Sequence, residues 1–199
     1  MTKEKTGSSG QERTFLRALS QMILCCTGWK VEAVIPDVPK YVIIGAPHTS
    51  NWDFFLTLLI GFSAGIKLHW VGKDSLFHWP FGGLMKLLGG IPVKRGARSG
   101  FVDQIVAAFQ EHDELVICIA PKGTRGKTRY WKTGFYYIAL GAGVPIALGF
   151  VDYARKMCGV GPTIMPTGDI QADLVPIREF YADKTGKFPH QQDVIEIHS

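Results

Sequence analysis

The sequence predicts a single α/β domain, with a mostly parallel or mixed sheet flanked by helices and an amphipathic helix at its N-terminal end. Three observations carry this. Short apolar runs of strand length alternate with longer stretches of helical periodicity. The breaks between them fall on glycine and proline. A chain of 199 residues with no shift in composition suits one domain with its own core.

Residues 1–12, MTKEKTGSSGQE, are polar and Gly/Ser-rich, with no long apolar stretch or small-residue cleavage site, so a flexible tail is expected rather than a secretory signal. Residues 13–29 are expected to form the amphipathic helix. Phe15, Leu16, Leu19, Met22, Ile23 and Cys26 recur at helical spacing, with Arg13 and Arg17 at the polar edge. Such a face packs on its own domain or lies on a membrane surface, and the two are compatible. Within residues 30–199, the runs 32–36, 41–46, 68–72, 91–93, 114–120 and 144–151 read as buried strands. Helices are expected from residue 51 to about 63 and over 80–89, 99–113, 132–143 and 169–183. No run reaches the roughly 18 uninterrupted apolar residues of a spanning helix.

A hydrophobic content of 46% excludes a disordered chain, and the formal charge of +5 favours an anionic partner: a phosphate-bearing lipid, a membrane surface, nucleic acid or an acidic carrier. Cys25, Cys26, Cys118 and Cys158 have no CxxC spacing, which argues against a zinc site or a disulfide scaffold and suits a reducing compartment.

The stretch GAPHTSNWDFF, residues 45–55, sets His48 in the loop past a strand's carboxyl end, where α/β sheets place their chemistry, with four residues between it and Asp53. Two readings are open. Ser50 and Asp53 match an S-x-x-D capping box, which makes Asp53 a helix-terminus residue and His48 incidental. In the other reading Asp53 holds one imidazole nitrogen and leaves the second free to take a proton from a hydroxyl nucleophile. A second loop, APKGTRGKTR (120–129), also follows a strand and carries Lys122, Gly123, Thr124 and Arg125. Glycine lets backbone approach an anion and arginine offers a planar fork to phosphate, although a basic loop is also an ordinary solvated surface. GGIPVKRG puts Arg95 after another short strand.

Two other chemistries have a partial signature in the sequence. GFSAG, residues 61–65, fits G-x-S-x-G, but Ser63 closes a helical run instead of following a strand, the wrong context for a hydrolase nucleophile. KTRYWKTGFYY interleaves basic and aromatic residues as single-strand nucleic-acid platforms do; its aromatics are expected to pack a helix, and no nucleic-acid partner is expected.

Taken together, the stretch His48 to Asp53, GGIPVKRG, APKGTRGK and VPIALGF resemble, in order, the four blocks of the glycerophospholipid acyltransferases, which include the lysophosphatidic acid and glycerol-3-phosphate acyltransferases. The resemblance implies transfer of a fatty acyl group from acyl-CoA or acyl carrier protein, as co-substrate, to a hydroxyl of a lysophosphatidic-acid-like acceptor in phospholipid biosynthesis. It implies His48 as general base and Asp53 as its orienter, with Arg95, Lys122, Gly123, Thr124 and Arg125 binding substrate. It implies no cofactor and no metal, a phospholipid membrane surface as partner, and a peripheral location on a cytoplasmic membrane face. The chain departs from the family at Lys122, where the third block has glutamate, and at Lys94, where an acidic residue often precedes the arginine. A catalytically weakened lipid-binding homologue, or a different hydroxyl or amine acceptor, is the alternative. If Lys122 repels Arg125 and Arg95, restoring glutamate is expected to raise turnover.

Overall fold

The computed structural model describes residues 6–93, 100–192 and 194–197, with side chains from residue 14 onward. In chain order the elements are α1 (Thr6–Cys26), β1 (Lys30–Ala33), β2 (Lys40–Ala46), α2 (Trp52–Ala64), β3 (Leu68–Lys73), α3 (Gly82–Leu87) and β4 (Gly90–Val93). Then come α4 (Phe101–Glu111), β5 (Leu115–Ile119), α5 (Gly134–Ala142), β6 (Ile146–Asp152), β7 (Met157–Ile164) and α6 (Ile170–Tyr181). The strands form one sheet in the order β1-β7-β6-β2-β5-β3-β4. Every neighbouring pair is parallel except the antiparallel β6 and β7, so the expected α/β architecture with a mixed sheet is the one observed.

The central strands read as unbroken apolar runs because helices cover both faces. Along β2 the side chains alternate. Val42 and Ile44 join the cluster containing Phe109 of α4, Phe135 and Ile138 of α5, and Leu174 and Ile177 of α6. Tyr41 and Ile43 face the opposite cluster, with Leu56 and Ile60 of α2 and Leu24 of α1. Because β2, β5 and β6 are parallel neighbours, the loops leaving their carboxyl ends emerge side by side. These loops begin near residues 47, 120 and 153.

Three elements differ from expectation. Instead of a buried strand over 32–36, β1 covers Lys30–Ala33 with all four residues exposed, because it lies at the edge of the sheet beside β7. The strand β7 went unread because Gly159, Gly161 and Pro162 interrupt its apolar pattern. Packing requires those glycines: a Cβ on Gly159 would stand 1.6 Å from the Glu32 carbonyl oxygen of β1, and one on Gly161 would meet the Phe180 ring at 2.4 Å. The helix α1 begins at Thr6, inside the stretch expected to be a tail. It docks through Ser20 and Leu24, 3% and 1% exposed, while Phe15, Leu16, Met22 and Ile23 of the apolar stripe remain at the surface. The side chain of Arg13 lies outside the described residues.

Candidate active site

The strand β2 ends at Ala46, and His48, Thr49 and Ser50 form the turn that leads into α2. Asp53 lies in the first turn of that helix, where a carboxylate complements the unpaired backbone N–H groups. Its Oδ2 accepts the amides of Thr49 and Ser50, both at 2.8 Å, and lies 3.2 Å from His48 Nδ1. The Ser50 hydroxyl accepts the Trp52 amide at 3.2 Å. The capping box is not formed as expected: Asn51, not Ser50, is the N-cap of α2 and Ser50 Oγ takes the Trp52 amide rather than that of Asp53, while the Asp53 carboxylate both closes the turn and contacts the histidine.

The other oxygen, Oδ1, accepts the hydroxyl of Tyr153 at 2.8 Å, from the turn directly after β6. Burial acts to raise the Asp53 pKa, but the hydrogen bonds from His48, Ser50, Tyr153 and Thr49 outweigh it, and the carboxyl titrates below its ordinary 3.8. Burial first, and then the hydrogen bond to Asp53 and that residue's negative charge, push the Tyr153 phenol far above its usual range, which keeps it a donor. The Asp53 side chain is 5% exposed and that of His48 22%, so the carboxylate is sealed while the imidazole keeps one open edge. With Nδ1 turned to Asp53, Nε2 is the nitrogen left for a proton transfer.

A cleft of about 260 Å³ at the carboxyl end of the sheet is lined by His48, Thr49, Lys122 and Arg178 among apolar walls that include Trp131 and Ile195. The chain's final described segment walls one side and ties the two loops together. The Phe188 amide donates to the Thr49 hydroxyl at 3.2 Å, and Arg178 Nε to the Ile195 carbonyl at 2.7 Å. Oriented to satisfy its neighbours, the Gln191 amide donates to the Thr49 and Arg125 carbonyls at 3.0 and 2.9 Å.

Of the predicted site residues, the structure brings His48, Asp53 and Lys122 together. Lys122 is only 5% exposed and its ammonium donates to the Gln191 carbonyl oxygen. A glutamate at 122 would set a buried carboxylate against that carbonyl oxygen, which argues against the expected gain. Gly123 makes the turn with a positive φ of 63°, donating to Ala120 O. Thr124 and Arg125 sit exposed on the loop and are not among the cleft-lining residues. Arg95 lies outside the described residues.

Ser63 is 5% exposed and its hydroxyl donates to Ile60 O within its own helix, so it offers no nucleophile. Trp131, Phe135 and Tyr136 are buried in the core, which leaves no aromatic platform for nucleic acid among them. Sequence reasoning missed Tyr153, Arg178 and Gln191. Tyr153 alone carried a signal, as the residue directly after a strand at the chemically active end of the sheet.

The family model described as Acyltransferase matches residues 31–148, more than half of the chain. The 1-acyl-sn-glycerol-3-phosphate acyltransferase of Haemophilus influenzae is 33% identical over 129 residues, 60% of this chain and 52% of that protein. Its counterpart from Escherichia coli K12 is 34% identical over 129 residues, covering 60% and 51%. The chain thus spans about half the length of the curated relatives it matches. Among solved structures, the 1-acyl-sn-glycerophosphate (LPA) acyltransferase of Thermotoga maritima superimposes with a TM-score of 0.60 over 90% of this chain and 80% of that one; at 14% identity the likeness is one of fold. The family match runs from β1 into β6 and includes both the His48–Asp53 turn and the loop at 122–125, and the chain belongs to the acyltransferase family.

Proposed function

We propose that this protein moves a fatty acyl group from an acyl thioester, acyl-CoA or acyl carrier protein, to a hydroxyl of a lysophosphatidic-acid-like acceptor. The observation that carries the reading is the 3.2 Å contact between His48 Nδ1 and a sealed Asp53 carboxylate, with His48 among the residues that line the cleft. In this scheme Nε2 takes the proton from the acceptor hydroxyl as its oxygen attacks the thioester carbonyl. Asp53 steadies the imidazolium. The tetrahedral intermediate then collapses, the C–S bond breaks, and the thiolate leaves with the proton that His48 returns. No acyl-enzyme forms and no cofactor takes part. The acceptor's phosphate is held by the basic groups at the cleft, Lys122 and Arg178, with Arg125 on the exposed loop beside it. The relatives' names support an acceptor of this class.

A peripheral membrane location fits the surface. Among the described residues no helix is long and apolar enough to cross a membrane. Large apolar side chains are nonetheless exposed: Phe15 and Met22 on α1, Trp52 and Phe55 beside the site, and Trp79, Phe81 and Leu87 between β3 and β4, with Trp79 93% exposed. Lys73 and Lys86 lie exposed by the last group. Amphipathic aromatics with basic neighbours suit an anionic lipid interface. The reading is tested by incubating the pure protein with a panel of lysophospholipids and acyl donors and identifying products by mass. A diacyl product formed from lysophosphatidic acid is expected; no acylated product from any pairing refutes the reading.

A further inference from the structure

We propose that Tyr153 is a positioning residue for the reaction, a third member of the His48–Asp53 pair that fixes how strongly the carboxylate holds a protonated imidazole. The inference rests on the reading of His48 as base. Tyr153 lies beyond the family-model match, 100 residues from Asp53 in sequence, and reaches it only because β6 is the parallel neighbour of β2.

Lys122 and Arg178 share the cleft with His48 and are the same in wild type and in the Tyr153 variants compared, so the differences arise at the carboxylate, where the geometry divides labour. Oδ2 faces two backbone amides and the imidazole, while Oδ1 has the phenol at 2.8 Å. An oxygen at that depth without a donor would be a buried, unsatisfied acceptor. The backbone amides already fix the carboxylate's place, so the phenol's distinct effect is electronic. By donating to Oδ1 it draws charge from the carboxylate, weakens its grip on an imidazolium, and keeps the histidine available in its neutral, base-competent form. The ring is held independently of the hydroxyl, edge to face with Trp29 at 5.1 Å between centroids, so Tyr153→Phe removes the hydroxyl and keeps the packing.

The test compares the pH profile of kcat/KM for wild type, Tyr153→Phe, and the protein with 3-fluorotyrosine placed at position 153 alone. Fluorination makes the phenol a stronger donor and leaves its bond in place. The expected result is a pair of opposite displacements. In Tyr153→Phe the acid limb moves to higher pH by about half to one pH unit, a roughly 3- to 10-fold change in the pair's proton affinity, with KM nearly unchanged. In the fluorotyrosine protein it moves to lower pH. A merely structural tyrosine would lower activity at every pH and displace neither limb, and that outcome overturns the proposal. Because fluorotyrosine keeps the native bond, a folding failure of the phenylalanine variant leaves the test intact. His48→Ala run alongside separates the two claims: if it is inactive while both profiles overlay wild type, only the role of Tyr153 falls; if it stays active, the reading of His48 falls.

Discussion

Replacing Asp53 by asparagine isolates the charge on which the site is built. Four donors converge on this carboxylate: the amides of Thr49 and Ser50, the His48 imidazole and the Tyr153 hydroxyl. In the best orientation an asparagine oxygen keeps the two amides, and its nitrogen turns to the phenol oxygen. Every surviving bond becomes neutral, and a charge-assisted bond exceeds a neutral one by about 1 kcal/mol. The expected loss at neutral pH is therefore about 3 kcal/mol, or roughly 6–12 °C in unfolding midpoint for a domain of this size. Activity falls much further, because the imidazole loses its orienting carboxylate; in a Ser-His-Asp triad the same change costs about 10⁴-fold in kcat. Linkage adds a sign. A carboxyl whose folded pKa lies below its ordinary value contributes stability that is present above 3.8 and lost as pH falls through the folded value. Unfolding followed by circular dichroism should show a gap between wild type and Asp53→Asn that is steady near neutrality and narrows in acid below that point. A variant within 1 °C of wild type at pH 7, or a gap that ignores pH, would mean that the Asp53 charge does not hold this turn together.

Two further outcomes follow from the same geometry. Lys122→Glu should lower both stability and turnover on every acceptor, because a buried ammonium bonded to Gln191 O is replaced by a carboxylate facing that oxygen; a gain on lysophosphatidic acid in a product-mass assay would show that the lysine is not held this way in solution. Replacing Trp79 and Leu87 by serine should weaken binding to anionic vesicles in a sedimentation assay at least about tenfold, since each carries about 1.5–3 kcal/mol of burial, and should spare turnover of a soluble short-chain acceptor; unchanged sedimentation would place the lipid contact elsewhere.

What was legible in the sequence was what local pattern can carry. The apolar run of β2, the proline turn and the polar start of α2 placed His48 and Asp53 correctly, since all of that chemistry lies within a few residues. The orientation of α1 was not legible. Its apolar stripe identified a helix, but docking uses Ser20 and Leu24, a choice made by the surface of α2 and not by α1's own periodicity. The tether of Lys122 was not legible for a similar reason. A basic residue in a basic loop reads as solvated or anion-binding, and only the return of the chain at Gln191, 69 residues later, shows where the ammonium is held. β7 was lost because close approach to β1 and to Phe180 demands glycines, and those are the residues that erase a strand's pattern.

Removal of the acceptor's proton by His48, held by Asp53, is read out by following free thiol release from an acyl-CoA, with and without lysophosphatidic acid, in wild type and His48→Ala. Acceptor-dependent thiol release by wild type and a loss of at least about 10³-fold in the variant are expected. A folded His48→Ala protein is also expected, with a smaller drop in unfolding midpoint than Asp53→Asn shows, since the histidine lies in a loop and Asp53 keeps its charge and its three other donors. Near-normal turnover by a folded His48→Ala protein would contradict proton removal by His48, and would leave Asp53 as a helix-terminus residue alone.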